Sequence, residues 1–164
     1  MSLSYPEAVY HGSTGEVSAT YRPVDQKADL EIGPAVALHY LATGASTDGH
    51  FGLYRWDAGP HSGGAAPHFH RTMSESFFVV SGRMELYDGE RWVDAGPGDF
   101  VYVPEGGMHG FRNESAEPSS MLILFAPGAP REGYFEAIAA RVGGRHYSDE
   151  EWTALCEEHD NYFL

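Results

Sequence analysis

The segment Ala65-Ala-Pro-His-Phe-His-Arg-Thr-Met-Ser-Glu-Ser-Phe-Phe-Val-Val-Ser-Gly82 decides how this chain reads. In an extended strand, side chains two apart share a face, so His68 and His70 project together and Phe69 points away. Residues 71–74 are long enough for a tight connection, which predicts a second strand returning beside the first. That strand, residues 75–81, is rich in aromatic and β-branched side chains and stops at Gly82. Further on, the apolar run Phe100-Val-Tyr-Val103 ends in a Pro104-Glu-Gly-Gly turn, and His109 begins another strand. Three short strands thus bring three imidazoles and one carboxylate: His68, His70, Glu75 and His109.

A single histidine in a strand is ordinarily a hydrogen-bonded core or surface group, and a pair at i, i+2 is common. Three histidines and a glutamate in one window of about fifty residues, each at a strand, point instead to a metal. Nitrogen and carboxylate donors without thiolate suit one divalent iron, manganese, nickel, cobalt, copper or zinc ion, and argue against an iron–sulfur cluster. Four protein donors leave room for substrate on a six-coordinate ion. Glu75 is also the candidate catalytic group, since a carboxylate beside a metal can accept a substrate proton.

The pattern His68-x-His70-x4-Glu75-x6-Gly82 resembles the first sequence motif of the cupins, and Gly98-x5-Pro104-x-Gly106-x2-His109-x3-Asn113 resembles the second at every position. One departure is visible: Ser62 stands where the family pattern has a glycine, with Gly63 and Gly64 adjacent, which reads as a shifted turn. The resemblance implies an all-β fold, a double-stranded β-helix of the jelly-roll type, with a metal held by His68, His70, Glu75 and His109. It extends in outline to quercetinase-type flavonol dioxygenases and polyketide-processing cupins. It also implies a homodimer, for which an exposed edge at residues 35–41 or the N-terminal arm would serve.

At 164 residues the chain fits one domain with a full core. Its expected organisation is an N-terminal arm over 1–34, a barrel over 35–128 and a helical tail over 129–164 packed on the barrel. A formal charge of −14 argues against nucleic acid and anionic membranes as partners. The opening residues lack a charged region followed by an apolar one, and no run approaches the ~18 apolar residues of a membrane span. One cysteine, Cys156, excludes an intrachain disulfide. The expected location is the cytoplasm.

The arm is polar with scattered tyrosines and reads as a wrapping segment. Residues 50–56 alternate, Phe51 and Leu53 against Tyr54 and Trp56, and alternation leaves open which face is the lumen. Phe51, Leu53, Met73, Phe77 and Phe111 are the candidate pocket residues. Asp88-Gly89 signals a hairpin, and residues 121–125 are apolar on both sides, as in a buried strand. In the tail, Tyr134, Phe135, Ile138, Ala139 and Val142 recur at helical spacing up to Gly143-Gly144. Ser148-Asp-Glu-Glu151 is a capping box, after which Trp152 and Leu155 pack and Cys156 is an apolar filler. His159 falls where a cation complements the helix dipole. His39, His50, His61 and His146 read as polar side chains outside the ligand set.

An aromatic-rich pocket beside such a cluster suits a flat substrate with an enol, catechol or diketone oxygen pair, with dioxygen as co-substrate. The reading is a metal-dependent dioxygenase. Its alternatives are a non-oxidative cyclase, isomerase or lyase, and a cupin that binds a small molecule without chemistry.

Overall fold

The computed structural model describes residues 4–163; residues 1–3 of the expected arm and residue 164 of the tail lie outside the described residues. In chain order the strands are β1 Leu30–Ile32, β2 Val36–Ala42, β3 Gly52–Ala58, β4 Gly63–Phe69, β5 Ser74–Ser81, β6 Met84–Tyr87 and β7 Trp92–Ala95. They continue with β8 Phe100–Val103, β9 His109–Asn113 and β10 Ser119–Ala126, then helices α1 Glu132–Val142 and α2 Asp149–Glu158, and a last short strand β11 Tyr162–Phe163. They form two antiparallel sheets, ordered β1-β2-β3-β10-β5-β8 and β11-β4-β9-β6-β7. The fold is the expected all-β double-stranded β-helix with a helical extension. No helix among the described residues is long and apolar enough to cross a membrane.

Alternation along the strands builds the interior. Strand β3 buries Tyr54 and Trp56, and β10 buries Met121, Ile123 and Phe125. Register places Tyr54 and Phe77 on either side of Ile123, and Trp56 and Val79 on either side of Met121. Met84, Leu86 and Phe111 of the second sheet join the same core. Burying each such side chain is worth about 1.5–3 kcal/mol, so apolar contact between the sheets dominates their association.

Several expectations need correction. Strand β5 does not return beside β4: it pairs with β8 and β10, whereas β4 pairs with β9 and β11. The short link after β4 crosses from one sheet to the other, because each strand completes its hydrogen bonds within its own sheet. The lumen face of β3 is Tyr54 and Trp56; Phe51 precedes the strand and is 37% exposed, and Leu53 is half-buried on the outer side. Strand β2 is no edge, since β1 runs along it. Strand β10 is fully buried on one face only. Residues 4–20 do not wrap the barrel; Tyr5 is 99% exposed. His159 caps α2, but burial, with Arg131 beside it, lowers its pKa, so the ring is neutral rather than the expected cation.

Other local readings hold. Tyr87 and Trp92 pair across the Asp88-Gly89 turn. Ser148 and Glu151 make both bonds of the capping box, and Cys156 is buried. At Ser62-Gly63 it is Gly63 that takes the left-handed conformation, φ +68°.

Gly82 shows why the first motif ends in glycine. Its φ is +68°, and a Cβ there would stand 2.3 Å from the Pro118 carbonyl oxygen and 2.7 Å from Ser119 Cα. Both are backbone atoms and cannot swing aside. Gly82→Ala is expected to lower unfolding free energy by about 2–4 kcal/mol, read as a shift in the urea midpoint followed by circular dichroism.

Candidate metal centre

Strand pairing within each of the two facing sheets assembles the cluster. His68 in β4 lies opposite His109 in β9, and Glu75 in β5 lies between Val103 and Phe125 in the other sheet. His70 sits just past β4, where its carbonyl accepts the Gly106 amide at 2.7 Å and so ties it to the turn before β9. His68, His70, Glu75 and His109 are 4%, 2%, 3% and 1% exposed. One donor atom from each lies within 4.8 Å of all the others, so the four could hold a metal ion.

The orientation of the rings is set from behind. His68 Nδ1 meets the Ala66 carbonyl at 2.8 Å, His109 Nδ1 the Gly107 carbonyl at 2.9 Å, and His70 Nδ1 the Asp160 carbonyl. A carbonyl oxygen only accepts, so each Nδ1 carries a proton and each ring, in its neutral form, turns its Nε2 lone pair inward. Glu75 Oε2 lies 2.9 Å from His70 Nε2 and 2.7 Å from His109 Nε2. Acceptors that close repel one another unless a cation lies among them.

Protons meet that need only in part. Burial, together with the charge of His109, pushes the His68 pKa down to about 3, so His68 stays neutral. Burial likewise opposes charge on His109, but the hydrogen bond and charge of Glu75 prevail and hold its pKa above the usual value. Burial alone would raise Glu75; hydrogen bonds from His109 and His70 outweigh it and keep the carboxyl well below the usual range. A proton on His109 therefore engages Glu75 and leaves His68 unused. A divalent ion satisfies all four donors together, and the donor set fits one.

His68 and Glu75 also face a cavity of about 780 Å³, together with Trp56, Phe111, Phe125 and Phe135. Of the pocket candidates, Phe111 lines this cavity. Met73 and Phe77 are buried in the core without lining it, and Phe51 and Leu53 lie on the outer side of the barrel. The far wall comes from α1 and α2, through residues such as Tyr134 and Trp152.

Two positions at the site carry no local signal in the sequence. Asp160, at φ +58°, gives its carbonyl to His70, and its carboxylate accepts the amides of Arg71 and Thr72 at 2.9 Å each. The adjoining β11 pairs with β4, stacking Phe163 on His68 at 5.1 Å between ring centroids. The second position, Arg131, is buried in the cavity wall.

A protein-family model described as "Cupin domain" matches residues 54–125. Quercetin 2,3-dioxygenase from Bacillus subtilis (strain 168) is 28% identical over 88 residues, which is 54% of this chain and 26% of that protein. An uncharacterized protein of Streptomyces coelicolor is 38% identical over 76 residues, 46% of this chain and 68% of that one. The crystal structure of an RmlC-like cupin from Shewanella frigidimarina superposes with a TM-score of 0.58 at 20% identity, covering 71% of this chain and 96% of that one. The chain thus spans only about a quarter of the dioxygenase's length.

Two outcomes are expected. Binding needs a neutral His109, whose metal-free pKa is raised. Zinc affinity should therefore be greatest above that pKa and fall roughly tenfold per pH unit below it, as one proton competes for the site; competition with a chromogenic chelator reads this. Asp160→Ala keeps the carbonyl that meets His70 but loses the carboxylate that anchors the Arg71 and Thr72 amides, so zinc binding should weaken by about 10-fold as that carbonyl is held less firmly, while His109→Ala should abolish stoichiometric loading in elemental analysis.

Proposed function

This chain belongs to the cupin superfamily, and from that premise we propose a metal-dependent enzyme: a dioxygenase acting on a small aromatic or enolised substrate of flavonol, diketone or polyketide type. The observation that carries the reading is the position of His68 and Glu75 in the wall of a cavity otherwise lined largely by aromatic and aliphatic side chains. A divalent transition metal held by His68, His70, Glu75 and His109 supplies Lewis acidity and, when redox-active, activation of dioxygen.

The chain's own groups do the rest. Trp56 and Phe111, edge to face with centroids 5.1 Å apart, offer flat apolar surface against which an aromatic substrate lies. With Phe125 and Phe135 they keep water from the reacting atoms. Glu75 has its Oε2 turned to His70 and His109, while Oε1 accepts no hydrogen bond from the described residues. Oε1 is therefore the acceptor proposed to take the proton of an enol or phenol as the substrate binds. The protein is further proposed to be a homodimer, with exposed Phe78, Phe100 and Tyr102 on the β5–β8 edge offering an apolar face. Light scattering should then give twice the 18.0 kDa chain mass.

Metal-loaded protein is expected to consume oxygen in the presence of flavonols, catechols or diketones, and Glu75→Gln to lower kcat by about 10²–10⁴-fold. Turnover unchanged under strict anaerobiosis would overturn the oxygenase reading in favour of a non-oxidative cyclase, isomerase or lyase. Binding without turnover under either condition would leave a small-molecule carrier.

A further inference from the structure

Arg131 immediately precedes α1 and is 3% exposed, yet it lines the same cavity as His68 and Glu75. Its guanidinium carbon lies 4.9 Å from the Phe125 ring centroid and 4.8 Å from that of Tyr134. One terminal nitrogen donates to the His159 carbonyl and the other to Asn161 Oδ1; Nε has no partner. Among the described residues no carboxylate lies within 4.0 Å to form an ion pair with it.

A buried cation without a counter-anion is costly, and bracing the tail does not require one. A neutral side-chain amide also donates to carbonyl and amide oxygens, so the bonds to His159 and Asn161 leave the charge unexplained. Counting charge across the cavity sharpens this. A divalent ion opposed only by Glu75 leaves one net positive charge, and Arg131 adds a second. The other charged lining groups, Arg141 and Glu157, are exposed at the rim and offset each other. A low-dielectric chamber with that balance calls for a negative ligand, and a guanidinium presents its donors in the fork that matches an oxyanion.

We propose that Arg131 is a specificity-determining residue that selects substrates carrying a carboxylate, seating the oxyanion against its guanidinium in the cavity wall. This rests on the cavity being the substrate site, as proposed above.

The test uses zinc-loaded protein and two ligands of like shape, salicylate and salicylamide. Trp56 and Trp152 both line the cavity, so quenching of their fluorescence reads occupancy. Salicylate should bind at least ~10-fold more tightly than salicylamide, and Arg131→Met should erase that preference while retaining bound zinc. Equal affinities in the unaltered protein, or a preference undiminished in Arg131→Met, would overturn the assignment. Should Arg131→Met fail to fold, Arg131→Lys decides: it keeps the charge without the fork, so a preference reduced severalfold supports the proposal and an unchanged one overturns it. Zinc content measured in the same samples keeps the two readings apart, since failure to load counts against the metal centre alone while the ligand pair still judges Arg131.

Discussion

Three backbone carbonyls, those of Ala66, Gly107 and Asp160, hold the protonated side of three imidazoles, and the chemistry of the centre depends on that restraint. Because each ring is fixed from behind, its lone pair has one direction left, and three rings carried by the β4–β9 sheet meet Glu75 carried by the other. A histidine free to rotate would exchange its Nε2 for a hydrogen bond elsewhere, and side-chain entropy would oppose assembly of the cluster. The restraint thus pre-forms a site that is electrostatically unfavourable without a cation. That is the relation expected where supporting hydrogen bonds orient metal ligands.

Two of the three carbonyls are local. Ala66 and Gly107 each lie two residues before the histidine they hold, so β4 and the turn before β9 carry their own support. The third is distant: Asp160 lies 90 residues from His70. Its left-handed backbone lets its carbonyl meet His70 while its carboxylate meets the amides of Arg71 and Thr72. The link from β4 to β5 is therefore held at the His70 end by the tail, and β11 fastens that tail alongside β4.

The same division explains what could be read from the sequence. The four donors were legible because strand alternation and the two motif spacings are local properties, and the capping box at Ser148 and the Asp88-Gly89 turn were legible for the same reason. The face of β3 was not, since Phe51 and Leu53 are as apolar as Tyr54 and Trp56. Only the register against Ile123 and Met121 decides between them. A four-residue link beginning at Arg71 suits a hairpin and a sheet crossing equally, and the outcome is set by partners far along the chain. Asp160 and Arg131 lie wholly beyond local pattern, because each gains its role only when the tail folds back.

The two halves of the site consequently answer to different constraints. All four metal-competent donors lie in the barrel, between residues 68 and 109, where register leaves little freedom to vary them. The wall opposite is drawn from α1 and α2, which lie outside the strands that carry the donors. A barrel of this kind can keep its centre while its helical tail changes the shape and charge of the chamber. On the proposed reading, selectivity rests with Arg131 at the start of the tail, and the reaction with donors carried by the strands. Fold and donor set alone identify the centre without identifying what it acts upon.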